Sequence, residues 1–426
     1  MRIPLAAWTL VALLAPLALA EEDFIPPQPL AEAGLVKYWQ LQLILEKGQR
    51  LQTVYLVDDH LYLGTEDGYV FAVHAPTGLL RWLRPITRSG YPVRRPCRAG
   101  DRVIFTTPSD MQIYDWAGGD PVARLDFRFP SGTAPVFDGK LVFVGGLDHR
   151  LYAFDLETRY VEWEIITNGA VRSTPGLQGD AVYVANDVGS IYSCVRANKA
   201  FRWQSSVSDE ISADLLVTEQ GVYVASRDFS LYLLDLGLGN VRWRARLSGP
   251  LYEPPVLADD LAYQYSPADG VVAIEAAGVG VADNRLRWKL PRGRTALTVH
   301  EGRAYVLTRD DTLVAVNEKD GQVKATVPAC GLSLGMPAPA ASTIFLAAPD
   351  GRVFCARPQG VPPLQREDLL AALEPPGTAK AAAAASQPTT RPAAKPEDAL
   401  VNKQPGPPIG GKSKISREFK PVEKPE

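Results

Sequence analysis

The sequence predicts an all-β protein in which eight four-stranded units close into a ring. Three observations support this prediction: a turn that recurs about every 40 residues, short runs of β-branched and aromatic residues between the turns, and no helical spacing of apolar residues between Leu51 and Cys355. Four-stranded units repeating at this period are typical of a β-propeller, whose blades pack face to face around an axis. We therefore predict an eight-bladed β-propeller, with seven blades as the alternative.

The recurring turn contains an aspartate in every unit. These aspartates are Asp67, Asp110, Asp148, Asp187, Asp228, Asp269, Asp310 and Asp350. In one unit the run 141–144 precedes the turn and the run 151–155 follows it, and both runs are rich in strand-forming residues. Such runs joined by short turns are typical of β-hairpins, so each unit is predicted to contain four short strands.

The two ends of the repeat region complement each other. The last unit ends at Pro358 without an outer strand, whereas residues 35–43 read as an outer strand that lacks a unit of its own. An unpaired sheet edge favours association with other chains, and pairing the two ends removes that edge. We therefore predict that the N-terminal strand completes the last blade, with Trp39 in the position that Trp82 occupies in the first blade.

A second pattern, Ala-x-Asp-x-x-Thr-Gly-x-x-x-Trp, recurs in the same units. It fits best at 72–82, where His74 replaces the aspartate, and at 153–163, where Arg159 replaces the glycine. This pattern resembles the docking motif of the PQQ-like (quinoprotein-type) propeller family, and the resemblance extends over residues 35–358. It identifies six tryptophans as structural residues that dock neighbouring blades. They are Trp39, Trp82, Trp163, Trp203, Trp243 and Trp288.

The docking motif has a physical explanation as a packing device. A tryptophan on the outer strand presents a large apolar face to the neighbouring blade, and its N–H group requires a hydrogen-bond acceptor. The glycine permits a turn with a positive φ angle, and the aspartate caps that turn through its side chain. The glycines and tryptophans of this pattern are therefore predicted to be structural rather than parts of a cofactor site.

Segments of different composition flank the repeats. Residues 1–20 contain Arg2, an apolar run and small residues at the expected cleavage point, which is typical of a secretory signal; a retained membrane anchor is the alternative. Residues 21–34 are predicted to be a linker, 359–376 a linker with a short helix, and 377–426 a disordered tail rich in Pro, Ala and Lys. We thus expect an exported protein of the periplasm or cell envelope.

The composition argues against several kinds of partner and site. The formal net charge of -3 gives no bulk attraction to nucleic acid, and no transmembrane segment is expected in the mature chain. The four cysteines lie far apart without a CxxC pair, which excludes a cysteine-rich zinc site and a dense disulfide framework. One bridge between Cys330 and Cys355 and four buried free thiols are both compatible with the sequence. We expect a monomer.

An enzymatic function is the alternative that the family resemblance raises. The family includes quinone-dependent alcohol and sugar dehydrogenases, which hold the quinone over Ca2+ on the propeller axis. This chain lacks the adjacent cysteine pair of many of those alcohol dehydrogenases, and its histidines are expected in separate blades. They are His60, His74, His149 and His300. We therefore predict no catalytic residue, cofactor or metal, with a quinone-dependent or sugar-binding enzyme as the alternative.

Arginines are concentrated in two of the connections between blades. Arg88, Arg94 and Arg95 lie in the connection between the first two blades, and Arg292 and Arg294 lie in a later one. Guanidinium groups on one rim suit the recognition of carboxylate or phosphate groups. We predict that these five residues bind a partner, and ordinary surface charges paired with the turn aspartates are the alternative.

The resemblance implies a binding platform rather than an enzyme. The chain is similar to the BamB-type members of the family, which scaffold the assembly of outer-membrane β-barrels by contacting a partner through one face. No cysteine follows the expected cleavage point, which departs from that family and argues against lipid attachment there. We therefore expect envelope proteins, of identity unknown from the sequence, as the partners.

Overall fold

The computed structural model describes residues 22–277 and 285–373. These residues form eight four-stranded antiparallel sheets, so the prediction of an eight-bladed propeller is confirmed and the seven-bladed alternative is wrong. The predicted signal at 1–20 and the predicted disordered tail at 377–426 lie outside the described residues.

Two short helices flank the blades: α1, Pro27–Glu32, near the N terminus, and α2, Arg366–Leu373, after the last blade. Strand β1 is Leu35–Gln42. Blades 1 to 4 consist of β2 Leu51–Val57, β3 His60–Thr65, β4 Tyr69–His74, β5 Leu79–Pro85, β6 Cys97–Ala99, β7 Arg102–Thr106, β8 Asp110–Asp115, β9 Pro121–Asp126, β10 Val136–Phe137, β11 Leu141–Gly146, β12 Arg150–Asp155, β13 Val161–Ile166, β14 Gly176–Gln178, β15 Ala181–Ala185, β16 Ser190–Val195 and β17 Phe201–Ser206. Blades 5 to 8 consist of β18 Leu216–Thr218, β19 Gly221–Ser226, β20 Ser230–Leu234, β21 Val241–Arg246, β22 Val256–Ala258, β23 Leu261–Ser266, β24 Gly270–Glu275, β25 Leu286–Leu290, β26 Gly293–His300, β27 Arg303–Thr308, β28 Thr312–Asn317, β29 Val323–Pro328, β30 Leu334–Met336, β31 Ile344–Ala347 and β32 Arg352–Pro358, with β1 as the fourth strand of blade 8.

The N-terminal strand closes the ring as the sequence predicted. Strand β1 pairs with β32 in an antiparallel register that runs from Leu35 opposite Pro358 to Gln42 opposite Arg352. The preceding segment, predicted as a linker, contains α1, which packs on the outer strand of blade 7. The Tyr305 hydroxyl of that blade donates to the Ala33 carbonyl at 2.9 Å. The N-terminal segment therefore joins blades 7 and 8.

All six predicted docking tryptophans are buried, with exposed fractions between 0% and 7%. Each indole N–H donates to a backbone carbonyl in the following blade. The pairs are Trp39 to Ala75 at 2.9 Å, Trp82 to Trp116 at 3.3 Å, Trp163 to Arg196 at 3.0 Å, Trp203 to Leu236 at 2.9 Å, Trp243 to Ala276 at 3.2 Å and Trp288 to Glu318 at 2.7 Å. Each acceptor lies in or beside the turn between the third and fourth strands, so the tryptophan fixes the spacing of adjacent blades.

The hydrophobic core lies between the blades rather than at the axis. One cluster contains Tyr62 and Trp82 of blade 1 together with Phe105 and Tyr114 of blade 2. Their rings are tilted, edge-on or stacked, with neighbouring centroids 5.6 to 6.5 Å apart. Such aromatic pairs contribute beyond their buried area, which strengthens the contact between the blades.

Alternation of strand direction gives the ring two different faces. The hairpin face is formed by the turns after the first and third strands of each blade, such as 58–59 and 75–78. The connection face is formed by the segments between blades, such as 86–96, and by the turns after the second strands, such as 186–189. All eight recurring aspartates therefore lie at the connection face.

The recurring aspartates fasten the blade connections. The carboxylates of Asp187, Asp228 and Asp269 accept hydrogen bonds from backbone N–H groups of the connections that enter their own blades. The capping role that the sequence predicts is performed at the other face by the motif aspartates. Asp155, for example, accepts from the N–H groups of Glu157 and Thr158 at 3.0 and 2.8 Å.

All four cysteines lie in the described part of the chain, and all four are free thiols. The bridge between Cys330 and Cys355 is not formed, because Cys355 is buried in the last blade whereas Cys330 is exposed. Burial raises the pKa of the Cys355 thiol, and it raises the pKa of the Cys97 thiol to about 12. These two thiols are therefore poor nucleophiles at neutral pH.

Candidate binding surface: the axial funnel and its arginine rim

A cavity of about 1010 Å³ lies along the propeller axis. Its lining comes mainly from inner strands and from the residues that enter them, so the cavity reaches the connection face; we call it the axial funnel. The charged residues that line it are Arg94, Arg95, Arg172, Asp214, Glu253 and Arg294. The structure thus brings Arg94 and Arg95 of one predicted cluster together with Arg294 of the other.

Arg94 forms part of the funnel wall. Its guanidinium donates to the Ser131 carbonyl at 3.1 Å and to the Ser131 hydroxyl at 3.4 Å. Burial lowers the pKa of Arg94 below its ordinary value, and the nearby Asp214 carboxylate opposes that effect. Arg94 therefore holds two adjacent connections together and is not a free rim cation.

Arg88 and Arg95 are exposed in the same connection. Arg95 donates one hydrogen bond to the Leu56 carbonyl at 3.3 Å, which leaves its charge without a carboxylate partner. Across 22–277 and 285–373, Arg88 has neither a hydrogen bond nor an ion pair for its side chain. These two side chains are the available cations of the first cluster.

The second cluster is engaged within the protein. Arg292 pairs with the turn residue Asp310 at 3.1 Å, as the alternative interpretation of paired surface charges predicts. Arg294 binds both carboxylate oxygens of Glu253, at 2.7 and 2.6 Å, and lies 4.3 Å from the centre of the Tyr265 ring. Since both cations are already paired, they offer less to a partner than Arg88 and Arg95 do.

Exposed apolar side chains on the connection face were not singled out from the sequence. Tyr91 lies in the arginine-rich connection and Tyr252 in a later one, and each is about half exposed. Ile166, at the end of β13, is 71% exposed, and Val188 lies in the turn between β15 and β16. The signal that could have revealed them is a large apolar residue in a turn or connection, where no core position is available.

The funnel does not fit a calcium-bound quinone. Of its two carboxylates, Glu253 has both oxygens occupied by Arg294, and Asp214 accepts the Thr174 N–H at 2.8 Å. Calcium requires six to eight oxygen ligands around one point. In the two described ranges, no group of three or more His, Cys, Asp or Glu residues is arranged to hold a metal ion.

The expectation that the four histidines lie in separate blades is wrong for His60 and His74. These residues face each other across β3 and β4 of blade 1, and their ring centroids are 5.9 Å apart. Asp59 lies 2.8 Å from His60 Nδ1 and 3.8 Å from His74 Nε2. His60 and His74 are 14 residues apart in the sequence because they lie on the two strands of one hairpin. Their separation alone did not predict this contact, since it depends on the strand register.

In residues 22–277 and 285–373, no helix is long and apolar enough to cross a membrane.

Comparison with known proteins reveals relatives of this propeller. A curated relative, the outer membrane protein assembly factor BamB of Moranella endobia (strain PCIT), is 19% identical over 200 residues, which cover 43% of this chain and 50% of the relative. The chain thus spans about half the length of that relative. BamB from Moraxella catarrhalis has a similar structure, with a TM-score of 0.61 and 16% identity over 76% of this chain and 98% of that one.

The same fold also supports a different function. A quinohemoprotein alcohol dehydrogenase, ADHIIG from Pseudomonas putida HK5, has a TM-score of 0.58 and 12% identity over 78% of this chain and 77% of that one. At this identity the similarity shows the fold alone.

The family itself follows from the repeats. The family model described as outer membrane protein assembly factor BamB matches residues 34–165, 109–199, 163–252, 188–279 and 239–361. These overlapping matches run through all eight blades, from the closing N-terminal strand to the end of β32. The chain belongs to the BamB-like family of PQQ-type β-propellers.

Proposed function

We propose that this protein is an exported, non-catalytic propeller that binds envelope proteins through its connection face. The observation that carries the proposal is the combination of two unpaired exposed cations, Arg88 and Arg95, with exposed Tyr91, Ile166 and Tyr252 on one face. Tyrosine and arginine are the residue types that most often dominate the binding energy of protein interfaces. An arginine fork recognises a carboxylate through two parallel hydrogen bonds.

The family supports the compartment and the kind of partner. The relatives are named as outer membrane assembly factors, and the N-terminal segment has the composition of a secretory signal. We therefore infer a location in the periplasm or cell envelope, action as a monomer, and a protein of the outer-membrane assembly machinery as the partner. A partner surface with exposed carboxylates and an apolar centre would complement the connection face.

Replacing Arg88 and Arg95 by Ser should weaken partner capture without lowering the melting temperature. Both side chains are exposed and lack carboxylate partners, so they contribute little to stability. The measurement compares envelope proteins retained by the wild-type and variant chains at two salt concentrations, because screening weakens exposed charge pairs. Arg159→Ser is the matched control, because Arg159 is an exposed arginine in the turn between β12 and β13, on the hairpin face.

Arg94 is left intact in this experiment because its hydrogen bonds to Ser131 make it structural. Undiminished capture by the folded double variant, at both salt concentrations, would place the binding surface elsewhere and contradict the proposal.

A quinone-dependent or sugar-oxidising enzyme is the second candidate, favoured by the axial cavity and by the dehydrogenase that shares the fold. We expect no activity after reconstitution with the quinone and Ca2+, because Glu253 is bound by Arg294 and few carboxylate oxygens remain for the ion. Dye-linked oxidation of alcohols and sugars is the measurement. Activity above that of the free quinone would establish the enzyme.

A further inference from the structure

A second cavity, of about 470 Å³, lies on the hairpin face between blades 8, 1 and 2. Helix α2 contributes one wall, so the cavity lies beneath this helix and opposite the connection face. Its volume is within the range of roughly 300–1,000 Å³ that small-molecule sites occupy. The residues that give it its chemistry are Tyr38, His60, Arg81, Trp116, Arg357 and Asp368.

Two arginines in this cavity lack a carboxylate partner. Among the residues that the structure describes, Arg81 has no hydrogen bond or ion pair. Arg357 stacks on the Tyr38 ring, with its guanidinium carbon 3.7 Å from the ring centre, and its buried Nε has no hydrogen-bond partner. Two cations that line one cavity without an ion-pair partner favour an anionic ligand.

A buried histidine contributes a further free polar group. His60 is only 3% exposed, and its Nδ1 lies 2.8 Å from the Asp59 carboxylate, which orients the ring. Its Nε2 is buried without a hydrogen-bond partner in the described structure. Because an unsatisfied buried polar atom is costly and uncommon, a hydrogen bond to this nitrogen would be favourable.

The neighbouring charges limit the ligand to a single negative charge. Asp59 is engaged by His60, and Asp368 on α2 accepts the Gln365 N–H at 2.9 Å, so two carboxylates accompany the two arginines. Burial and the charge of Arg81 lower the pKa of His74, which favours its neutral form. Two arginines and two carboxylates leave the cavity without net charge, so a second negative charge on the ligand would be uncompensated, and a ligand with one negative charge is favoured over a dianion.

The remaining walls are apolar or aromatic. Trp116 lies with its ring centre 4.2 Å from that of His60, and Pro76 and Leu364 complete the lining near it. We propose that the cavity beneath α2 binds a small organic monocarboxylate, whose carboxylate pairs with Arg81 and Arg357 and whose apolar part packs against Pro76 and Leu364. This site is separate from the connection face and does not depend on the proposed binding of envelope proteins.

Calorimetric titration of the full mature chain tests the proposal with benzoate, 1-naphthoate and indole-3-acetate. We expect saturable binding of one molecule of at least one of them, no binding of benzyl alcohol, and weaker binding of phenylphosphonate, which carries more charge. Arg81→Gln and Arg357→Gln should each weaken binding about tenfold or more, since hydrogen bonds to charged groups contribute roughly 1.5–3 kcal/mol. Asp368→Asn should tighten binding because it removes a like charge.

Arg128→Gln, on the connection face, is the control and should leave binding unchanged. Melting curves establish that each variant is folded. Failure of all three carboxylates to bind would overturn the proposal, and so would binding by the folded Arg81→Gln and Arg357→Gln variants that is as tight as binding by the wild-type chain. Tighter binding of phenylphosphonate than of benzoate would overturn the monocarboxylate class.

Discussion

A chain without residues 21–46 should lose most of its stability and expose an aggregation-prone edge. The deletion removes β1, the fourth strand of blade 8, and with it the pairing partner of β32. It also removes α1, whose Leu30 is buried against blade 7. In the described structure no other strand pairs with β32 on that edge, and Trp39 of β1 adds to the packing of blade 8 against blade 1.

The magnitude follows from the buried side chains. Ile25, Leu30, Leu35, Trp39 and Leu43 are all nearly inaccessible to solvent. Each such side chain contributes about 1.5–3 kcal/mol when buried, and part of this gain is offset by the entropy cost of ordering the segment. A net loss of several kcal/mol is a large share of the roughly 5–15 kcal/mol by which domains are stable.

Thermal melting measures the effect, and we expect the transition to fall by roughly 10 °C or more. Because the missing strand adds to a preformed edge, a peptide of residues 21–46 supplied in trans should raise the transition again. A truncated chain that melts like the full mature chain would show that β1 does not hold the ring closed.

The fold could be predicted from the sequence because each blade repeats the same local requirements. The turn aspartates and the docking tryptophans recur at fixed spacing, and the missing outer strand after β32 matched the extra strand at β1. Helix α1 was missed because its six residues, Pro27–Glu32, include two prolines and are preceded by no capping side chain to signal a helix. Its stability comes from packing on blade 7, which is a tertiary effect.

The candidate sites were less predictable, because they depend on which side chains already have partners. The sequence placed Arg88, Arg94 and Arg95 together but did not distinguish Arg94, which Ser131 engages, from its exposed neighbours. Likewise, the approach of His60 to His74 depends on strand register rather than on spacing. Turn and docking residues act within or between adjacent units, whereas the axial funnel and the cavity beneath α2 collect residues from three or more blades.

The contact between Trp82 and Gly119 should show how strongly one blade docks on the next. Trp82 is buried, and its indole donates to Trp116 in the turn of blade 2 that also contains Gly119. Trp82→Ala should lower the free energy of unfolding by about 3–5 kcal/mol, as truncation of buried tryptophans does. Urea denaturation measures this change.

Gly119 lies so close to Trp82 that the docking contact can also be tested by a substitution of the glycine. A Cβ atom at this position would lie 2.5 Å from Cγ and Cδ2 of Trp82, and the residue has a φ of +67°. Gly100 has nearly the same φ, +64°, but nothing lies within 4 Å of its Cβ position. Gly100→Ala therefore measures the backbone strain alone, roughly 1–2 kcal/mol, whereas Gly119→Ala adds an overpacking cost of about 1–3 kcal/mol.

Combining the two substitutions isolates the docking contact. The ring is absent in the Trp82→Ala background, so the total destabilisation by Gly119→Ala should fall towards that of Gly100→Ala. A small overpacking cost should remain, because the Cβ of residue 82 lies 3.0 Å from the new methyl group. The coupling free energy of this double-mutant cycle should thus be about 1 kcal/mol or more. Equal costs for Gly119→Ala with and without the indole would mean that the turn, and not the tryptophan, requires glycine here. The docking explanation of the repeated Thr-Gly-x-x-x-Trp pattern would then be wrong.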